Sequence, residues 1–560
     1  MDLITLFKNT FKYNKKNEYS FKLSDNYTNS SNVKKSPQKI DSVFPSLEVN
    51  LEYMKTKYNL LINSDVILRQ FTINARGKQY NSFIVYIDGM VDSEIMDNFI
   101  LKPLMLRNQN NLYDGSQTKI ISEAVTNNIT VRKVKKFDLP NYLMGCLLPQ
   151  NAVKEVTDFS DVTSGINAGN CVLFVDTLNV AFDIEVKGFK QRSIDTPNNE
   201  IVIKGPHEAF VENIRTNTSL IRRIANNEDL IIENIEVGKI TKTKCALCYM
   251  QNITNTDLIA EVKYRLNNLE IDSLLSAGEL EQLISDSNVL GIPEILSTER
   301  PDKATKYLLR GRVIVIVNGT PYALIMPAIL VDFLTSPEDT NLKVNFANFL
   351  RRLRFLAALI TLLLPGIYIA ITNFHQEILP TSLLYTILAS RENVPFPIIV
   401  EILLMEISFE LIREASLRVP APIGSTIGII GGLILGEAAV SANLVTPLLI
   451  IIVAITGICS YAIPDFSLNF TIRTFRFMYI ILSYIAGFLG ISFGMFIQLI
   501  LLSNLQSFGV SYFSPYLPPS DKNNDSSFLI KPIWKKEKRS SFLNTKRPKQ
   551  EEKISMKWKY

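Results

Sequence analysis

From about Ser46 to residue 345, apolar and polar positions alternate in runs of strand length, separated by stretches with helical periodicity. Near residue 350 the pattern changes to long, nearly uninterrupted apolar runs. The first half predicts packed strands and helices in water. The second predicts helices in a bilayer. The expected fold class is therefore an α/β (or α+β) two-subdomain head followed by an α-helical polytopic membrane domain. The expected segments are a disordered polar tail over 1–45, subdomains over 46–165 and 166–345, a helical membrane domain over 346–515 and a basic tail over 516–560.

Two segments of the head read as copies of one strand-to-helix unit. Phe83 to Met90 leads into a helix beginning near Asp92 or Ser93, and Cys245 to Asn252 leads into one capped near Asn255 or Thr256. Superposing Tyr86 on Tyr249 places Gly89 on Asn252 and Ser93 on Thr256, so turn and cap chemistry coincide along with apolarity. Two hairpins are expected as well. Val172–Val175 and Val180–Phe182 flank a tight turn, while Arg312–Val317 runs into Asn318-Gly319 and returns over Tyr322–Met326.

The first apolar run, Phe355 to Phe374, has 20 residues without a charge, and a rise of 1.5 Å each matches a hydrocarbon core of about 30 Å. Arg351, Arg352 and Arg354 precede it, which predicts a cytoplasmic head. Residues 1–45 lack the apolar stretch of a secretory signal, in agreement. Further spans are expected over Ile423–Val440, Val445–Ile463 and Phe477–Leu502, the last as one tilted helix or two with a break at its glycines. Phe396–Ile412 is a span, a re-entrant segment or an interfacial helix.

That segment carries Glu401, Glu406 and Glu410, with Glu414 just beyond. At 100° per residue Glu406, Glu410 and Glu414 share one stripe, and a carboxylate at mid-bilayer costs about 2.5 kcal/mol or more. The stripe either lines an ion path or meets a basic partner. Alternatively it forms salt bridges along its own helix, Glu410 with Arg413 and Glu414 with Arg418. Gly424, Gly428, Gly431, Gly432 and Gly436 suit close helix packing, and Glu437 with Asn443 forms a second polar focus.

Composition changes little. A formal charge of +5 on 560 residues gives no argument for nucleic acid. The five cysteines, Cys146, Cys171, Cys245, Cys248 and Cys459, are scattered, and Cys245-Ala-Leu-Cys248 reads as a buried strand whose thiols point to opposite faces. No phosphate loop occurs and His207 and His375 are far apart, so no enzyme, metal or cofactor is expected. The tail from Asp521 onward has twelve Lys or Arg against five Asp or Glu, which suits either contact with anionic membrane lipid or a solvated chain.

Lys204-Gly-Pro-His-Glu-Ala-Phe-Val-Glu-Asn-Ile-Arg through Arg223 resembles the signature of the GerA family of spore germination proteins. So do Gly311-Arg-Val through Ser336-Pro-Glu-Asp339, Leu364-Pro-Gly-Ile-Tyr-Ile-Ala370, Val394-Pro-Phe-Pro through Arg413-Glu-Ala, and Ser507-Phe-Gly509. The resemblance runs from about Ser46 to Pro519. It implies the A subunit of a nutrient germinant receptor in the spore inner membrane, with a transporter-like B subunit, a lipoprotein C subunit and a homo-oligomeric ion channel. An A-like accessory subunit of the spore dipicolinate-release channel, or a non-conducting receptor scaffold, are the alternatives. Glu401, Glu406, Glu410, Glu437 and Asn443 are then the candidate ion-path or coupling residues. Glu208, Glu212, Arg215, Arg222 and Arg223 are candidates for contact between neighbouring heads, or for pairs within one solvated helix. Glu437 departs from the family, where a neutral amide is expected.

Overall fold

The computed structural model describes residues 21–23, 42–75, 78–106, 138–150, 152–188, 197, 199–287, 291–418, 432, 434–517, 528–532 and 538–550. Gly424, Gly428 and Gly431 lie outside them.

The head is built twice from one plan. Helix α1 (Leu47–Lys57) leads into strands β1 (Val66–Ala75) and β2 (Lys78–Ile87). Helices α2 (93–106) and α3 (139–147) follow, each containing a π turn, and then β3 (Val153–Val156), α4 (Phe159–Asn167), β4 (Cys171–Val175) and β5 (Ala181–Ile184). The second pass runs α5 (Ile214–Ile224), β6 (Leu230–Val237), β7 (Thr243–Met250), α6 (Thr256–Asn267), α7 (Ala277–Ile284), β8 (Leu296–Thr298), α8 (Pro301–Leu309), β9 (Val313–Val317) and β10 (Ala323–Met326). The sheets order their strands identically, β1-β2-β4-β5-β3 and β6-β7-β9-β10-β8. Every pairing is antiparallel, so of the two fold classes expected for the head the strands choose α+β.

Burial repeats with the topology. One face of the first sheet packs Ile84, Leu173 and Phe182 against α2 and α3; the other packs Phe83, Val172 and Phe174 against α1 and α4. In the second sheet, Val313, Val315 and Val317 face α6 and α7, while Ile314 and Ile316 face α5 and α8. A strand covered on both faces needs apolar residues at every position, which is why Val313–Val317 reads as a continuous apolar run. Cys245 and Cys248 fall on opposite faces, and burial pushes both thiols up to about 12. The caps coincide too: Asp92 accepts from the N–H groups of Glu94 and Ile95, and Asn255 accepts from that of Asp257.

Two expected boundaries move. The division at 165/166 falls inside the first sheet, because β4 pairs with β2 and β5 with β3. Periodicity marks β4 as a strand but carries no record of its pairing partner. The polar tail drawn to residue 45 ends too late: Val43 is buried and its N–H donates to Thr157 O at 2.7 Å. Leu23 packs beside the apolar cluster of Ile329 and Val510.

Beyond β10 comes the short helix α9 (Leu330–Phe333), then α10 (Val344–Phe374), α11 (Thr381–Arg391), α12 (Ile398–Arg418), a helical piece over 434–441, α13 (Pro447–Tyr461) and α14 (Phe466–Asn504). Helices α10 and α14 are long and apolar enough to cross a membrane. Helix α14 starts eleven residues before the expected Phe477 and does not run straight. At Gly487 the backbone takes φ 57° and ψ −135°, a conformation open to glycine and costly for other residues. Past this break the chain folds back: Tyr479 Oη donates to Gln498 Oε1 at 2.6 Å, although a straight helix would separate these residues by about 28 Å. Of the two forms expected for this stretch, the structure adopts the broken one, as a helical hairpin.

Candidate functional site: an ion-pair cluster between helices

Glu406 and Glu410 lie four residues apart on α12 and so project from one face. The first arm of α14 brings Arg473 and Arg476 against them, three residues apart for the same reason. Arg476 Nη2 stands 2.7 Å from Glu406 Oε2 in an ion pair without hydrogen-bond geometry. It also donates to Glu410 Oε1 at 3.0 Å, while Arg473 Nη1 donates to Glu410 Oε2 at 2.5 Å. Arg413 approaches Glu410 to 3.7 Å and donates to Ser460 Oγ of α13 at 2.6 Å. Three helices therefore meet at one polar knot.

The knot is dry. Glu406 is 0% exposed and Arg476 1%, and the neighbouring faces are aromatic: Arg413 lies 4.8 Å from the Tyr461 ring centre and Arg473 5.4 Å from that of Phe470. With two carboxylates against three guanidiniums its formal charge is +1. Not every polar atom is satisfied, because Nε of Arg413, Arg473 and Arg476 has no hydrogen-bond partner among the described residues. Burying such ions costs several kcal/mol each, and removing one partner from a buried pair costs about 3–5 kcal/mol.

Glu401 is buried apart from this knot. Its Oε2 accepts from the N–H of Thr446, the N-cap of α13, at 3.3 Å, and Arg391 stands 3.8 Å from its other oxygen. A carboxylate at a helix N-terminus is favoured by the helix dipole. Glu437 and Asn443 are exposed and take no part in these ion pairs, so the structure does not join the second polar focus to the first. Glu414 pairs with Arg418 at 2.7 Å, as the local spacing predicts. The sequence reading missed Arg473 and Arg476. Their signal was two arginines at helical spacing directly before the apolar run at Phe477, on the helix that must shelter the carboxylates.

A second set of ion pairs joins the halves of the head. Helix α5 carries Arg222, 2% exposed, whose Nε and Nη2 donate to the two carboxylate oxygens of Asp65 at 2.7 and 2.8 Å; Nη2 also donates to Asn63 at 3.0 Å. Arg215 pairs with Asp88, just beyond β2. Both acids flank the first sheet, so α5 clamps the second subdomain to the first. This corrects the reading of Arg222 as a contact between neighbouring heads, since it is consumed inside the chain. Arg223 pairs with Glu208 on the same surface, and Glu212 is exposed.

A third set fixes the head to α10. Asp339, whose side chain is 0% exposed, accepts from Arg351 Nε at 2.9 Å and from Arg354 Nη1 at 2.7 Å. After α14 the chain returns to the head. Ser507 Oγ donates to Glu294 O at 2.7 Å, Phe508 N–H donates to Asp286 Oδ2 at 2.6 Å, and the Phe508 ring packs in the second-sheet core with the Arg265 guanidinium 4.1 Å from its centre. The tail beyond is not wholly solvated either: Leu543 is 0% exposed and Lys546 N–H donates to Ile253 O at 3.0 Å.

A duplicated α+β head with ion-paired seams, carrying a helical region with two long apolar helices, defines a membrane-associated class of protein. Within that class the chain belongs to the GerA family: the family described as Bacillus/Clostridium GerA spore germination protein matches residues 52–542. The chain is 37% identical over 497 residues to spore germination protein KA of Bacillus subtilis (strain 168), covering 89% of this chain and 86% of that protein. Against spore germination protein A1 of the same strain it is 40% identical over 391 residues, covering 70% and 81%. A solved structure, the N-terminal domain of the A subunit of the Bacillus megaterium spore germinant receptor GerK3, is 32% identical. That likeness covers 52% of this chain and 97% of the other, with a TM-score of 0.36.

Proposed function

We propose that this chain is the A subunit of a nutrient germinant receptor in the inner membrane of the spore, with its head in the cytoplasm. It acts with a transporter-like B subunit and a lipoprotein C subunit, and several copies form an ion channel that opens when germinant binds. Its membrane region is polytopic. Family membership supports the receptor role, and three arginines just before the first span support the orientation.

The observation that carries the channel reading is the buried knot of Glu406, Glu410, Arg413, Arg473 and Arg476. Well-packed apolar residues of similar volume are often as stable as a buried ion pair, or more so by about 1–4 kcal/mol. A knot with unsatisfied Nε atoms is therefore a poor way to hold helices together permanently. It is a good way to hold two alternative packings close in energy, which a gate requires. In this reading the closed state pairs α12 with α14. Opening separates them and turns the freed charges toward water.

Reconstitution in liposomes, with the B and C subunits and germinant, tests this by monovalent-cation flux. The Glu406→Gln, Glu410→Gln double variant is expected to change the ratio of basal to germinant-triggered flux at least several-fold. Unchanged flux from intact oligomers of that variant would remove the knot from the gate. No flux from the parent under the same conditions would favour a scaffold.

A further inference from the structure

Both ends of α14 are tied to residues that follow α7 in the head. Near its start, Thr471 Oγ1 donates to the Gly291 carbonyl at 2.6 Å. After its end, Ser507 Oγ donates to the Glu294 carbonyl at 2.7 Å and Phe508 N–H donates to Asp286 Oδ2 at 2.6 Å. The turn over 506–512 also meets the chain beyond β10, where Ala328 N–H donates to Ser507 Oγ at 3.1 Å and Leu330 N–H to Tyr512 O at 3.0 Å. The side chain of Glu294 holds this receiving surface together, because its Oε2 accepts from the N–H groups of Asp286 and Ser287. The seat for the turn therefore depends on one buried carboxyl.

That carboxyl and a second one, Glu281 on α7, each lie beside another acid. Among the described residues, Glu294 faces Asp286, Arg265 of α6 and the Tyr512 phenol of the turn. Glu281 faces Asp465, the N-cap of α14. Asp465 is faced by Lys303 of α8, which is engaged by Glu200 at 2.6 Å. Asp332 of α9 also faces Tyr512 and pairs with Arg312 at 2.6 Å, while residues 21–23, beside Gly509, bring Lys22, which is exposed. Burial pushes Glu294 up to about 8 against the N–H groups that it accepts from, and Asp286 adds to the rise. Burial, and then Asp465, pushes Glu281 up to about 7. Both values lie above the ordinary 4.5, so the closed seam binds these protons more tightly than an opened one in which the carboxyls meet water. The resulting stabilisation of the closed seam is fully present below about pH 4.5 and is lost as pH rises through about 7 and about 8.

We propose that the seam between the second subdomain and α14 is a proton-operated latch: with Glu281 and Glu294 neutral the turn over 506–512 stays seated on the head, and their ionisation frees it while both subdomains remain folded. Release withdraws the Phe508 ring from the second-sheet core and breaks the hydrogen bonds of Ser507, Phe508 and Tyr512 to the head. The latch works within one chain and requires no conduction. What it sets is how firmly the helical region is coupled to the head.

Hydrogen–deuterium exchange of the full chain in phosphatidylcholine nanodiscs, read as protection factors between about pH 6 and about pH 8.5, tests the latch. A carboxyl whose pKa is raised by closure changes the opening equilibrium up to about ten-fold per pH unit. Protection of the Phe508 and Leu330 N–H groups is expected to fall at least about ten-fold over that interval, to a level at which they exchange while the amides of Val313–Val317 do not. The Glu281→Gln, Glu294→Gln variant, neutral at every pH, should hold that protection within about two-fold. The unaltered chain decides even where the variant does not fold: constant protection at Phe508 and Leu330 would overturn the latch, and so would one shared level of protection for turn and strand amides at every pH, since nothing would then open short of unfolding. An equal fall in the folded variant would overturn it as well.

Discussion

Glu294 shows how one buried residue joins the segment after α14 to the head, its side chain bonded within the head and its backbone carbonyl to Ser507. It is 2% exposed, its Oε2 accepts from the N–H groups of Asp286 and Ser287 at 2.8 and 3.0 Å, and its carbonyl holds Ser507 Oγ. Burial pushes its carboxyl up to about 8, against the two N–H donors that pull it down. The folded protein thus holds this proton more tightly than the unfolded chain does. Its contribution to stability is complete below about pH 4.5 and is lost as pH rises through about 8. Glu281, pushed to about 7 by burial and by Asp465, also titrates near the interval from pH 7 to 8, so the Glu294→Gln variant is what separates the two contributions. The unfolding midpoint in detergent should fall across that interval in the parent and stay flatter in Glu294→Gln; equal slopes would show that the carboxyl does not titrate there. Nothing in the local sequence marks Glu294, because its burial depends on a turn more than 200 residues further on.

At the scale of elements, the break in α14 depends on Gly487. A Cβ there would meet the Phe374 ring at 3.0 Å, and φ 57° with ψ −135° strains any other residue by about 1–3 kcal/mol. Gly487→Ala should lower the thermal midpoint of the detergent-solubilised chain by several degrees, whereas Gly432→Ala, with nothing among the described residues within 4 Å of its Cβ, should not. Equal midpoints would mean that the hairpin does not need this conformation. The strands were legible in the sequence where periodicity and turn chemistry agreed, as in Val313–Val317, Asn318-Gly319 and Ala323–Met326. The repeated caps were legible for the same reason. The hairpin was not, because Gly487, Gly490 and Gly494 suit close packing of a straight helix as well as a reversal. The ion-pair knot was half legible: the Glu406 and Glu410 stripe shows in local spacing, but Arg473 is 63 residues from Glu410 and only the fold joins them.

Across the whole molecule, the return of the chain to the head constrains how the membrane region is threaded. Phe508 is 1% exposed inside the second-sheet core, and Leu330 N–H donates to Tyr512 O at 3.0 Å. Residues 506–512 therefore share a compartment with the head that precedes α10, and a chain leaving and re-entering one compartment crosses the bilayer an even number of times. In the polytopic arrangement proposed above, the hairpin in α14 would supply the crossing that a single tilted helix would omit, its arms of about 20 and 17 residues having lengths of roughly 30 and 26 Å. Single cysteines introduced as Ile240→Cys on the head and Lys549→Cys on the tail, in a chain lacking the five native cysteines, should label from the same side of sealed vesicles. Glu377→Cys, in the turn after the first apolar run, should label from the other. Head and tail labelling from opposite sides would break the even count and would require the Ser507–Gly509 turn to leave its seat on the second sheet when the protein enters a bilayer.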